Sequence, residues 1–261
     1  MNESSPDVTD ALILMAGAGS RLGAAGGAPA KPLVRIGGRP LICYALDVFE
    51  RAGVRRLHVV LGANSERLMA ELEPLLPAEM SLNAIVNPDW RKQNGVSVLS
   101  AVGQVRAPFF LAMGDHLFEF SILETLLSRG DRRLVNLAID RKVESIFDLD
   151  DAMKVQTQGD GIVAIAKDLA KYNAIDTGVF LCSEEIFIYL QRVRAQWGDC
   201  SLSDGVRLLA ADEKMRAVDI GEAWWQDVDT PEMLARAEQE SARFLRQGGG
   251  GLTEESVTGQ S

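Results

Sequence analysis

Cysteine, histidine, aromatic side chains, basic charge and long apolar runs are all scarce in this sequence, and each shortage removes a class of function. Three cysteines in 261 residues, Cys43, Cys182 and Cys200, are odd in number and widely spaced in or beside apolar runs, so they are expected to be buried thiols rather than a disulfide framework or a thiolate metal site. Only two histidines, His58 and His116, argue against a histidine-based zinc centre. No apolar run approaches the roughly 18 residues that span a bilayer. Acidic side chains outnumber basic ones by 37 to 27, a net charge of −10 that disfavours a polyanion partner such as nucleic acid and confines any anionic ligand to a local site. The first ten residues have neither a basic stretch nor an apolar core, so they are expected to be a frayed end rather than a secretory signal, in keeping with a reducing, cytoplasmic setting.

What is present is the balance of an ordinary globular protein, 47% hydrophobic and 25% charged. From Ala11 onward, short apolar runs at 11–16, 56–62, 82–87, 108–115 and 134–140 read as strands. Segments near 39–52, 64–76, 95–105 and 119–129 carry helical periodicity. This alternation predicts an α/β fold, a Rossmann-like, doubly wound, mostly parallel sheet. Beyond residue 140 the pattern becomes an α+β decoration: two strands around the QGDG turn at 158–161, a strand at 176–183, a strand at 215–220, and helices near 184–195, 201–211 and 231–246. A single domain over 11–246 is expected, with 11–140 binding nucleotide and 141–246 binding an acceptor. The four-glycine run at 248–251 opens a flexible tail, 247–261.

The segment 12–33 runs from an apolar strand into Gly17, Gly19 and Gly23 and then delivers Arg21 and Lys31. Successive backbone N–H groups in such a loop form an anion cradle. Its glycines follow G-x-G-x-x-x-G, which is not the dinucleotide fingerprint, and the Gly-Lys-Ser/Thr of the P-loop is absent. Instead Ala16-Gly17-Ala18-Gly19-Ser20-Arg21-Leu22, followed by Lys31-Pro32-Leu33, closely resembles the signature of the sugar-nucleotide and alcohol-phosphate nucleotidyltransferases. The resemblance implies that the backbone from Ala16 to Ser20 holds a triphosphate while Arg21 and Lys31, the expected catalytic cations, neutralise charge at the reacting phosphates.

The same resemblance nominates Asn94, Gly95 and Ser97, at a predicted helix start, for reading a cytosine base. Helix capping accounts for the same residues. Asp115 ends a strand at the carboxyl edge of the sheet, where open α/β folds bind ligands, and is expected to contact nucleotide and to ligate magnesium. The family pattern supplies Asp229 as the partner ligand, with Asp227 as fallback; contact of His116 with ligand is left open, and Trp224 and Trp225 are expected to pack in the core.

The runs 113–119, 138–155, 165–180 and 224–233 look like those of the inositol-1-phosphate cytidylyltransferases. That resemblance covers about residues 11–240 and implies condensation of CTP with L-myo-inositol 1-phosphate to CDP-inositol and pyrophosphate, with Mg2+. It also implies a membrane phosphotransferase as a working neighbour, since family members commonly carry one fused. This chain contains no such half, which suggests a free-standing enzyme or a severed piece. A homodimer is left open. Arg141, Lys142, Asp176 and Thr177 are the expected acceptor-binding residues, with Lys154, Lys167 and Asn173 as further polar groups. Sparse aromatics beyond residue 140 disfavour a quaternary-ammonium cage and hence phosphocholine. Sugar 1-phosphates remain an alternative acceptor class, and a catalytically idle nucleotide sensor the alternative of another class.

Overall fold

A computed structural model describes residues 7–17, 30–62 and 65–247, with backbone alone for 241–247. Its first strand, β1 (Asp10–Met15), starts earlier than expected. Val8 is already buried and the Thr9 carbonyl accepts from the amides of Arg55 and Arg56, so residues 8–10 belong to the fold rather than to a frayed end.

The remaining elements are, in chain order, β2 (Arg35–Ile36), β3 (Arg39–Pro40), α1 (Leu41–Arg51), β4 (Arg56–Leu61), α2 (Ser65–Leu72), β5 (Ser81–Val86), α3 (Asn94–Leu99), β6 (Phe109–Met113), β7 (His116–Phe118), α4 (Phe120–Arg129) and β8 (Val135–Asp140). They continue with β9 (Lys154–Gln158), β10 (Gly161–Ala166), β11 (Ala174–Cys182), α5 (Glu185–Trp197), α6 (Leu202–Ala211), β12 (Met215–Asp219), β13 (Trp225–Asp227) and α7 (Pro231–Gln247). Nine strands form one sheet in the order β5-β4-β1-β6-β11-β8-β12-β10-β9. β5, β4, β1 and β6 are mutually parallel, as predicted, and β8 pairs in parallel with β12. β11 is inserted antiparallel between β6 and β8, and β10 pairs antiparallel with β12 and β9, so the parallel winding is interrupted where the second half joins.

Strand alternation builds a core on each face of the sheet. Ala11, Ile13 and Met15 point toward α1 and α4 with Phe110 and Ala112, whereas Leu12, Phe109 and Leu111 point toward α3, α5 and α6. Phe49 of α1 is fully buried between the rings of Phe110 and Phe118, and truncating such a phenylalanine costs about 3–5 kcal/mol. All three cysteines are buried. Two short antiparallel pairs stand apart from the main sheet, β2 with β3 and β7 with β13. The second of these assembles the site.

Candidate active site

The carboxyl ends of β1 and β6 lie side by side, and the chain turns sharply after each. The amide of Gly114 donates to the Leu14 carbonyl at 3.0 Å, which places Asp115 beside the exit of β1. The 3-10 turn at Lys31–Leu33 buries Pro32 and Leu33 and so fixes the root of Lys31. β13 pairs antiparallel with β7, setting Asp227 opposite His116, and the amide of Val228 donates to the Asp115 carbonyl at 2.9 Å. This ladder delivers Asp229. The Lys31 ammonium sits 2.5 Å from Asp115 Oδ2 and also contacts Asp229 Oδ1, so residues 31, 115 and 229 meet at one point.

Burial opposes ionisation of Asp115, but the hydrogen bond and charge of His116 and the ammonium of Lys31 more than offset it, and the carboxyl lies far below the ordinary aspartate range. His116 donates from Nδ1 to Asp115 Oδ1 at 2.7 Å, and although burial opposes its protonation, Asp115 and Asp227 raise its pKa.

A cavity of about 380 Å³ opens beside this cluster. Its wall combines carboxylates (Asp140, Asp148, Asp151, Asp176, Asp227 and Asp229) with the rings of Phe147, Phe180, Trp224 and Trp225. Two of its three long cations are held in ion pairs, Lys142 with Asp140 at 2.9 Å and Lys167 with Asp151, while the Arg236 guanidinium lies over the Phe147 ring. Asp176 accepts from the Gly178 amide at 2.7 Å, yet burial pushes its carboxyl up to about 6.

The expected site residues fare unequally. Ala18, Gly19, Ser20 and Arg21 lie outside the described residues. Ala16 directly follows β1, and Gly17 comes next with open space where a Cβ would stand. Lys31, Asp115 and Asp229 come together, and Lys142 and Asp176 line the cavity. Asn94 reaches the cavity edge, but its Oδ1 accepts from the Leu202 amide and so ties α3 to α6.

Several other nominated residues are engaged within the fold itself. Ser97 is buried and accepts from Asn87 Nδ2 at 3.0 Å, and a Cβ on Gly95 would stand 2.7 Å from the Cys200 carbonyl. Gly95 therefore serves close packing of α3 against residues 200–201, while Ser97 ties α3 to Asn87. Thr177 is buried and donates to the Ala138 carbonyl at 2.8 Å inside the sheet, so its hydroxyl is turned away from the cavity. Arg141 donates to Thr157 Oγ1 and pairs with Asp219 at 3.2 Å, away from the cavity lining. Trp224 and Trp225 are partly buried and pack against the core as expected, and they also line the cavity, where with Phe147 and Phe180 they supply an aromatic wall that weakens the argument against a cationic acceptor.

The sequence profile of the MobA-like NTP transferase domain matches residues 11–199. The chain belongs to this family. As a MobA-like NTP transferase it is 31% identical over 242 residues to the bifunctional IPC transferase and DIPP synthase of Thermococcus kodakarensis, covering 92% of this chain and 52% of that protein. It is 29% identical to the CMP-5'-(3-aminopropyl)phosphonate synthase of Streptomyces rubellomurinus, covering 99% of this chain and 45% of the other. It thus spans about half the length of the curated relatives it matches. The structure of the inositol-1-phosphate CTP transferase from T. maritima superimposes with a TM-score of 0.80 at 24% identity, covering 95% of this chain and 99% of that one, which establishes the shared nucleotide-diphospho-sugar transferase fold. The Rossmann-like α/β architecture read from the sequence is therefore correct. No helix among the described residues is long and apolar enough to cross a membrane.

The donor chemistry is compatible with a divalent cation held by two carboxylates. Asp115 and Asp229 are close enough to share one cation, since both touch the Lys31 ammonium. No cluster of three or more His, Cys, Asp or Glu side chains arranged for a metal occurs among the described residues. Magnesium takes one or two carboxylates and completes its shell with phosphate oxygens and water, so two acids fit it and an all-protein cage is unnecessary.

Proposed function

We propose that this chain condenses CTP with L-myo-inositol 1-phosphate, giving CDP-inositol and pyrophosphate. The observation that carries the transfer chemistry is the convergence of Lys31, Asp115 and Asp229, the last of which lines the cavity. The acceptor's identity rests on the similarity to the IPC transferases over 92% of the chain.

An acceptor phosphate oxygen would attack the α-phosphorus of CTP while the bond to the β-phosphate breaks and pyrophosphate leaves. The acceptor is already an anion, so no general base is required, and the chain's task is alignment and charge neutralisation. Lys31, and Arg21 from the loop that begins at Ala16, would compensate charge on the phosphates. Asp115 and Asp229 would hold the magnesium ion, which when bound supplies further neutralisation of the triphosphate. Asp176 would accept hydrogen bonds from ring hydroxyls, and the indoles of Trp224 and Trp225 offer flat apolar surface to the C–H faces of the ring. Lys142 would act from the same wall. Asn94, which lines the cavity, is the remaining candidate for the base.

A second reading is favoured by one observation: the wall pairs aromatic rings with carboxylates, which also suits a phosphorylated or phosphonylated amine. Pyrophosphate release with CTP, magnesium and each of inositol 1-phosphate, phosphocholine, 3-aminopropylphosphonate and glucose 1-phosphate separates the readings. Turnover with inositol 1-phosphate at least tenfold above the others is expected. Preference for an amine acceptor would replace the first reading, and release with none would favour an idle sensor.

A further inference from the structure

His116 is surrounded by features that the transfer reaction leaves unexplained. Its imidazole is stacked on Trp225, with ring centroids 6.0 Å apart and planes 16° from parallel. Trp225 is itself anchored: its Nε1 donates to Asp140 Oδ2 at 3.0 Å, and Asp140 is held by Lys142. Against the imidazole's Nε2 and Cδ2 lies Gly178, where a Cβ would stand 2.6 Å from Nε2 and 2.8 Å from Cδ2. Gly178 has φ +71, within the stretch of β11 where the pairing with β8 loses register between Asp176 and Phe180. Asp176 accepts the Gly178 amide and pins that irregularity. The backbone of a central strand is thus bent out of its ladder where it meets the ring, and a residue without a side chain occupies the point of contact.

We infer that His116 is the positioning residue for Asp115, and that the β11 irregularity at Gly178 exists to seat its imidazole. Between Trp225 and Gly178 the ring is held with Nδ1 on Asp115 Oδ1. That bond fixes the carboxylate's rotation so that Oδ2 faces Lys31 and Asp229, where the cation is proposed to lie. Partners that orient a metal-ligating carboxylate or imidazole commonly affect metal affinity by ten- to a hundredfold. The inference rests on the proposed metal role of Asp115, but not on the acceptor.

The test uses Mn2+ as probe, its binding to the chain with CTP followed by electron paramagnetic resonance, together with CTP affinity without metal and thermal unfolding. His116→Ala is expected to weaken Mn2+ binding about tenfold while leaving metal-free CTP affinity within twofold. His116→Asn, whose amide can donate to the same oxygen, is expected to recover most of the loss. Gly178→Ala should weaken Mn2+ binding in the wild-type background and add nothing further to it in His116→Ala, although its backbone strain lowers unfolding temperature in both. Unchanged Mn2+ binding in His116→Ala, an asparagine no better than alanine, or equal effects of Gly178→Ala on Mn2+ binding in both backgrounds would overturn the inference and leave the transferase reading standing. Failure of the wild-type chain to bind Mn2+ with CTP would remove the reading and the inference together.

Discussion

The sheet carries an aspartate–histidine–cation cluster at each end, and the two behave differently. At the amino end, Asp10 of β1 accepts from Arg56, from the Arg106 amide and from Thr9, and meets His58 Nε2 at 2.9 Å, while His58 Nδ1 lies 3.0 Å from Asn83 Nδ2. Asp10 and His58 are buried, with every partner supplied by the fold. At the carboxyl end, Asp115, His116 and Lys31 repeat the residue types, but His116 lines a cavity and Lys31 draws in a second carboxylate, Asp229, which lines it too. Residue type alone therefore does not mark a functional cluster. Access to a cavity and an excess of like charge held by one cation do.

Substitutions at the two ends should separate stability from turnover. Asp10→Ala strands His58 and part of Arg56, and is expected to cost about 3 kcal/mol of stability, roughly 10 °C in Tm, with kcat of the folded protein unchanged. Burial opposes ionisation of Asp10, but Arg56 and His58 outweigh it and lower its pKa. Its contribution is accordingly present above the unfolded aspartate pKa and lost as pH falls through the folded one, so denaturant titrations of wild type and Asp10→Asn should converge in acid. A fall in kcat as large as the fall in stability would erase the distinction between the two ends.

Lys31→Ala should do the reverse, lowering kcat about a hundredfold, roughly 3 kcal/mol of barrier, while relieving no core contact. Pyrophosphate release together with thermal melting reads both. Normal turnover in that variant would refute the role given to Lys31.

Asp176→Asn sharpens the comparison within the cavity. Burial raises the folded pKa of Asp176 to about 6, so the carboxyl favours folding below its unfolded value near 3.8, and that advantage is lost as pH rises through 6. The asparagine variant should thus be more stable than wild type at pH 8, by an amount of order 2 kcal/mol, and no more stable at pH 4, with a raised acceptor KM at both. Arg141→Ala has the smallest expected effect. Its partly exposed pairing with Asp219 is worth less than about 1 kcal/mol, and acceptor KM should move less than twofold. A tenfold rise would restore the sequence-based assignment of Arg141 to the acceptor.

Most of the layered fold was legible because its strands alternate cleanly between two cores, as Leu12 and Ile13 do. The antiparallel insertion of β11 was not, since apolar strands buried on both faces carry no mark of direction. Lys31 and Asp115 were legible for a local reason: each sits in a short motif after a strand or glycine-rich turn. Thr177 misled because adjacent strand residues face opposite sides, and one step from Asp176 turns the hydroxyl into the sheet. Gly95 and Ser97 misled because small residues serve tight helix packing as well as ligand approach. His116, Trp225 and Gly178 are joined by the β7–β13 pair and the bend in β11, contacts of His116 with residues 62 and 109 positions away that no local pattern announces. The concentration of tryptophan and aspartate at 224–229 was the available hint.

The family profile ends at residue 199, whereas Trp225, Asp227 and Asp229 come later, carried by a strand whose pairing is with β7 alone. On the ribosome, Lys31 and Asp115 therefore emerge long before the second carboxylate. A nascent chain holds Lys31 and Asp115 without their third partner until residues 225–229 have been made, so the proposed site is completed by a late-arriving latch.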